Sequence, residues 1–275
     1  MDPTTGYLPT DTPLAIGSTI RGIKTVVARE LAKNNPPPYI LFSNVPPNII
    51  KPSNDSQVPG LKGLRITYDE NVRSLLVKLP SRSHEGGSWY FTRGILEATS
   101  AMGLRRDLML LGAATVAEQG VSKEPDASFS LSNLPVGRDP KWPSVVVETG
   151  YIETSSRLHA DAQLWISRSR GQVKAVILSS FGRDVEKIIF EKLVPDYTPL
   201  RPVRASRGPV VYAICQQKVA VTRSQGQVAV TGAPLIITFE EMFLRSPNPP
   251  NERDYVLGQQ ELTEISEDSW RNRPL

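Results

Sequence analysis

An α/β fold with a mixed central sheet is what this sequence predicts, and three observations carry the expectation. Residues 145–147 (VVV) and 173–178 (VKAVIL) are short, nearly continuous apolar runs. That is the pattern of strands buried on both faces. Between them, residues 155–169 have helical spacing, with Leu158, Ala162, Trp165 and Ile166 on one face. Ser155 or Ser156 can cap that helix and Gly171 can end it. Upstream lie another helical segment and two further strands. The order helix, three strands, helix, strand makes a compact core in which helices cover a mixed sheet.

Taken in order, residues 1–20 carry Pro, Thr, Asp and Gly without periodicity and read as a disordered arm. Residues 21–33 suit a short helix before the Pro36-Pro37-Pro38 breaker, and 34–60 look irregular. A β-hairpin is expected over 62–80, turning at Asp69-Glu70-Asn71. A helix over about 88–102 follows the Gly86-Gly87 break, with Gly103 as its stop. Strands are expected over 108–116, 124–131 and 144–150. After the central helix, 174–180 and 185–193 pair across Phe181-Gly182-Arg183-Asp184. A further strand covers 210–215. The string VAVT occurs at 219–222 and 228–231 around a glycine turn, which reads as another hairpin. Leu235 begins a short strand before FEEMFLR, and 258–272 form a last helix. Three segments result: an N-terminal arm over 1–60, a core over 61–194, and a β-rich extension with an acidic tail over 195–275.

The charge is uneven. The chain of 275 residues has a formal net charge of +4. From Tyr197 to Phe239 there is no acidic residue, while Arg201, Arg204, Arg207, Lys218 and Arg223 are basic. From Glu240 onward, eight acids face four arginines. A basic stretch of this kind suits an anionic partner, with Arg201, Arg204 and Arg207 as contacts to a nucleic-acid backbone. The single cysteine, Cys215, excludes an internal disulfide and sits in an apolar run, as a small core residue would. A reducing intracellular compartment, cytoplasmic or nuclear, is the corresponding expectation. No apolar run approaches the ~18 residues of a membrane span, and no secretory leader is expected.

Chemistry concentrates between residues 123 and 179. Asp126 follows a proline, and Glu148 ends the VVV run. Side chains alternate along a strand, so Glu148 shares a face with Ser144, Val146 and Gly150. If the strands of Asp126 and Glu148 are neighbours, the two carboxylates can converge on one Mg²⁺ or Mn²⁺. The main-chain carbonyl of Thr149 would be a further ligand. Such an ion lowers the pKa of a bound water and polarises a phosphodiester.

The succession of Pro-Asp, loop, apolar strand ending in Glu, helix and apolar strand resembles the PD-(D/E)xK restriction-endonuclease-like superfamily. More narrowly it is similar to a restriction-endonuclease domain widespread in bacteria and to its divergent fungal relatives. The stretches that carry the resemblance are GLRITYDENVRSLLVKLP, the His84-Glu85 pair, KEPDASF, PSVVVETGY and LHADAQLWISRSRGQVKAVIL, covering about residues 62–193. It implies a Mg²⁺-dependent DNA endonuclease in which Asp126 and Glu148 hold the metal. Glu97, Asp161, His84 and Glu85 fall at accessory positions. It also implies a homodimer, the arrangement in which many nucleases of this fold cut duplex. One departure stands out: Gly150 occupies the position of the superfamily's lysine, and residues 156–166 contain no lysine. Lys174 and Lys123 are the substitutes by position. Arg157 is a third, able to stabilise charge but not to act as a base.

Other chemistries lack their residues. Two histidines and one cysteine do not build a structural zinc site. Gly86-Gly87 lacks the lysine of a phosphate loop, and there is no G-x-S-x-G elbow. Two functions therefore remain: a metal-dependent phosphodiesterase, or a catalytically silent protein on the same fold that binds nucleic acid or another protein.

Overall fold

The computed structural model describes residues 4–49, 61, 63–80, 82–197 and 211–271, with 82–87 described in backbone only. In chain order the elements are β1 (Leu14–Ile16), α1 (Ile20–Leu31), β2 (Tyr39–Ser43), β3 (Arg65–Asp69), β4 (Ser74–Lys78), α2 (Arg82–Ala101), β5 (Leu108–Leu110) and β6 (Val116–Glu118). There follow β7 (Val121–Lys123), β8 (Ala127–Leu131), β9 (Val145–Tyr151), α3 (Ser155–Arg168), β10 (Ala175–Phe181), β11 (Lys187–Asp196) and β12 (Tyr212–Ser224). The last are β13 (Gln227–Thr231), β14 (Leu235–Ile237), α4 (Phe239–Phe243), β15 (Tyr255–Leu257) and α5 (Gln259–Arg271). The chain divides into two compact units, Met1–Ser81 with Ala113–Pro125, and Arg82–Gly112 with Asp126–Leu275.

In the first unit a sheet runs in the order β1-β2-β4-β3-β7-β6. Ile40 and Phe42, Leu75 and Val77, and Ile66 and Tyr68 recur every second residue, so each strand gives one apolar face to a shared core. Ile23 and Val27 of α1 cover that face. Thr19 caps α1 by accepting the Gly22 N–H at 3.1 Å. The expected hairpin is β3–β4, with the Asn71 N–H bonded to Asp69 Oδ1 at 2.9 Å in the turn. It belongs to this unit together with the N-terminal segment. Where an arm was expected, residues 14–16 form β1, parallel to β2. Three residues among prolines are too short to show a period. Within this unit Glu124 is buried, its carboxylate accepting Thr115 Oγ1–H at 3.0 Å and the Ile66 N–H at 3.2 Å. Burial pushes its pKa up to about 7, against those two bonds.

The second unit holds a seven-stranded mixed sheet, β13-β12-β11-β10-β9-β8-β5. Only β9 and β10 pair in parallel, and α3 makes the crossover between them. The elements therefore succeed one another as helix, three strands, helix, strand, followed by a β-rich extension. Val145, Val147, Ala175 and Ile177 face a core completed by Phe91 and Ile95 of α2, Phe239 and Met242 of α4, and Leu262 and Trp270 of α5. The alternate residues, Val146, Glu148, Gly150, Val176 and Leu178, point to the α3 side. Both faces being covered explains the continuous apolar runs.

Several strand boundaries differ from the sequence reading; the strand expected over 124–131 begins only at Ala127, after the separate short strand β7. The strand expected over 108–116 is split: β5 pairs with β8, whereas β6 lies in the first unit. Gly112, at φ +57°, breaks the run. The strand expected over 210–215 continues to Ser224 and turns into β13, with Val221 opposite Val230. Gln225 and Gly226 both have positive φ, the geometry of a two-residue hairpin turn that fits the strand twist. Among the described residues no helix is long and apolar enough to cross a membrane.

Candidate functional site

The site is built where β8, β9 and α3 meet. The last ladder pair of β8 and β9 is Ala127 with Val147. One step further the same register sets Asp126 across from Glu148. Each carboxylate accepts from a donor of its own. Asp126 Oδ2 accepts both the Thr149 N–H and the Thr149 hydroxyl, each at 2.6 Å. It thus continues the ladder with a side chain where the backbone pairing stops. Glu148 is 1% exposed, and its Oε1 accepts the indole N–H of Trp165 at 2.7 Å. Charge-assisted bonds to buried carboxylates of this kind are among the stronger hydrogen bonds.

Gly150 explains how α3 comes so close. A Cβ on Gly150 would lie 2.9 Å from Leu158 Cδ1, and Leu158 is fully buried. Leu158 therefore rests on the bare backbone of Gly150, and Trp165, two turns on, rests over Glu148. A side chain at position 150 would press on Leu158, so the glycine suits the close approach of this helix.

A second polar pair lies in the same layer. Arg157 and Asp161, one turn apart on α3, are both buried and form an ion pair at 2.6 Å. Solvent exposure, the ordinary fate of such residues on a helix, does not apply to them. Sequence reasoning missed Glu191. It stands on β11 in register with Leu178, which is itself in register with Glu148. All three share the α3 face. Glu191 is buried and takes contacts from His159 Nε2 at 3.4 Å and Lys218 Nζ at 3.0 Å. The bond to Glu191 holds the His159 pKa above its ordinary value, and the bond from His159 holds Glu191 below its own. The signal in the sequence was the acid in the centre of an apolar strand, FEKL. Cys215, expected as a core residue, is exposed on β12, its thiol directed at the Gln217 carbonyl at 3.4 Å.

Lys174 lies away from Glu148. The Lys174 N–H bonds the Ser144 carbonyl, so Lys174 stands at the start of β10. That is four residues, or about 13 Å along the strand, from the level of Glu148. Lys123 is buried at the end of β7 in the first unit, opposite Thr67 and Val116. Glu97 is exposed on α2 and paired with Arg93 at 2.7 Å. His84 and Glu85 begin α2, and their side chains lie outside the described residues. Arg201, Arg204 and Arg207 also lie outside them.

One oxygen of each of the Asp126 and Glu148 carboxylates is directed at a protein donor, and Glu148 lies under α3. Among the described residues no three His, Cys, Asp or Glu side chains gather around a common point.

No protein-family model and no curated protein matches the chain. Among solved structures, the chain is similar to a putative nuclease belonging to DUF820 from Anabaena variabilis. The TM-score is 0.32 at 13% identity, over 51% of this chain and 82% of that one.

Proposed function

We propose that this chain is a nucleic-acid-binding protein on a nuclease-like α/β framework. Its Asp126 and Glu148 hold the sheet and α3 together instead of a metal ion. The observation that carries this reading is the Glu148 carboxylate, buried and bonded to Trp165 Nε1 at 2.7 Å. The packing of Leu158 against Gly150 supports it, because a side chain at position 150 would have to displace Leu158. For the partner, the support is the run from Tyr197 to Phe239, which holds five basic and no acidic residues; two of the basic ones, Lys218 and Arg223, are already paired with Glu191, Glu186 and Glu267. Such a run neutralises phosphates and releases counterions, so binding weakens steeply with salt.

The competing reading is Mg²⁺-dependent cleavage by the same two carboxylates, and the register that sets Asp126 across from Glu148 favours it. In that reading a bound Mg²⁺ supplies an activated water, and α3 must withdraw from Glu148. Plasmid and a single-stranded oligonucleotide, incubated with excess protein and Mg²⁺ or Mn²⁺, separate the two. Retardation on a gel without cutting is the expected result. Metal-dependent cutting that Glu148→Ala abolishes overturns it.

A further inference from the structure

Lys174 finds other company at the start of β10. Its Nζ bonds the Gly171 carbonyl at 2.9 Å, and its N–H bonds the Ser144 carbonyl. On the chain entering β9, Arg138 Nη2 reaches the carbonyls of Trp142 at 3.3 Å and Pro143 at 3.0 Å. The Asp139 N–H, bonded to Gln172 Oε1 at 3.0 Å, ties these two loops together. Tyr197 closes the group, its hydroxyl on the Gly171 carbonyl at 3.3 Å.

The charges in this cluster do not balance. Arg138, Lys141 and Lys174 are cations, and Asp139 is the carboxylate among them, already paired with Lys141 at 3.1 Å. Arg138 and Lys174 are both half-buried, and the bonds described for their side chains end on neutral carbonyls. Burial pushes both pKa values down, and the charge of Arg138 pushes Lys174 down further. Two polar atoms here lack a partner among the described residues: Arg138 Nε and the hydroxyl of Ser144, a fully buried residue. Two neighbouring half-buried cations raise each other's cost, and an anion between them offsets it. A tetrahedral oxyanion also offers acceptors to an arginine fork and an ammonium at once.

We infer that Arg138 and Lys174 form an oxyanion site at the start of β9 and β10 that takes a phosphate group. This rests on the nucleic-acid reading above and deepens it, placing one backbone phosphate against these two side chains. Free polyphosphate offers the same chemistry, so the test uses both probes.

The experiment titrates the full chain with pyrophosphate by calorimetry and with a fluorescein-labelled duplex by anisotropy at several salt concentrations. Lys174→Gln keeps a donor for the Gly171 carbonyl and removes the charge, while Lys174→Arg keeps the charge. Lys174→Gln is expected to weaken pyrophosphate binding about 10-fold and to lower the salt slope for duplex by about 1. Lys174→Arg is expected to retain most of both. Arg138→Gln serves as a second variant, its folding checked by its melting temperature. If the wild-type chain binds neither probe, the inference is overturned. The same holds if folded Lys174→Gln and Arg138→Gln bind both probes as the wild type does. Pyrophosphate binding that depends on Lys174, without duplex binding, sustains the oxyanion site and removes the nucleic-acid reading.

Discussion

Trp165 and Glu148 exchange a hydrogen bond in a place that water does not reach. Trp165→Phe keeps most of the ring and removes the donor. It is expected to cost about 1–3 kcal/mol, read as a lower denaturant midpoint with an unchanged slope. Gly150→Lys drives a side chain into Leu158. The expected outcome is a loss of about 1–3 kcal/mol and no gain of cleavage. Glu124 supplies a pH signature of its own. Its folded pKa of about 7 exceeds its ordinary 4.5, so the folded state holds the proton more tightly. Stability should therefore fall as pH rises from about 4.5 to about 7, by roughly 3 kcal/mol at most. Glu124→Gln should abolish that fall in pH-dependent melts. The acids at 126 and 148 were legible in the sequence because a proline and an apolar run frame them. Their partners were not. Trp165 read as one more apolar residue of a helix face, and nothing local marks an indole N–H that will meet a carboxylate. Arg157 and Asp161 were named by position alone, as a substitute cation and an accessory acid, and their pairing and burial were not legible, since the burial comes from the sheet beneath α3.

At the scale of elements, α3 is held to the sheet at one side by Trp165 on Glu148 and at the other by His159 on Glu191. The second tie titrates. His159 has a raised folded pKa, so its contribution is complete below about 6.5 and is lost as pH climbs through the folded value. Glu191 has a lowered one, so its contribution is complete above 4.5 and is lost as pH drops through the folded value. The tie is therefore strongest between those limits. Protection factors of α3 amides should be highest there and decline as pH climbs through the folded His159 value, and His159→Asn should remove that decline. The unit of β9, α3 and β10 was readable from period and breakers, because these elements are long and strongly patterned. β1 and the division between β5 and β6 were not readable, since three-residue strands take their shape from the neighbours they pair with. Lys174 shows a related limit. Sequence gave its distance from Glu148 along the chain, but a parallel crossover returns the chain to the start of the neighbouring strand, away from the acid.

Over the whole molecule, charge separates along the chain: the stretch after Tyr197 is basic and the segment after Phe239 is acidic. Part of the acidic excess is committed internally, as in the pairs of Arg245 with Glu252 and Lys192 with Glu241. Binding to duplex should accordingly be steep in salt, and replacing Arg201, Arg204 and Arg207 together should flatten the slope by about 3. In the function proposed above, Asp126 and Glu148 bind the protein to itself and not to a metal. Thermal melts across a Mn²⁺ series, for the wild-type chain and for Asp126→Asn, test it most directly. A true site stabilises by mass action, by about 2.7 kcal/mol at a hundredfold excess over Kd. The account predicts a melting temperature that does not depend on Mn²⁺ through Asp126, with the same response in both proteins. A rise with Mn²⁺ in the wild type that Asp126→Asn removes would contradict it and return the two carboxylates to metal-dependent chemistry.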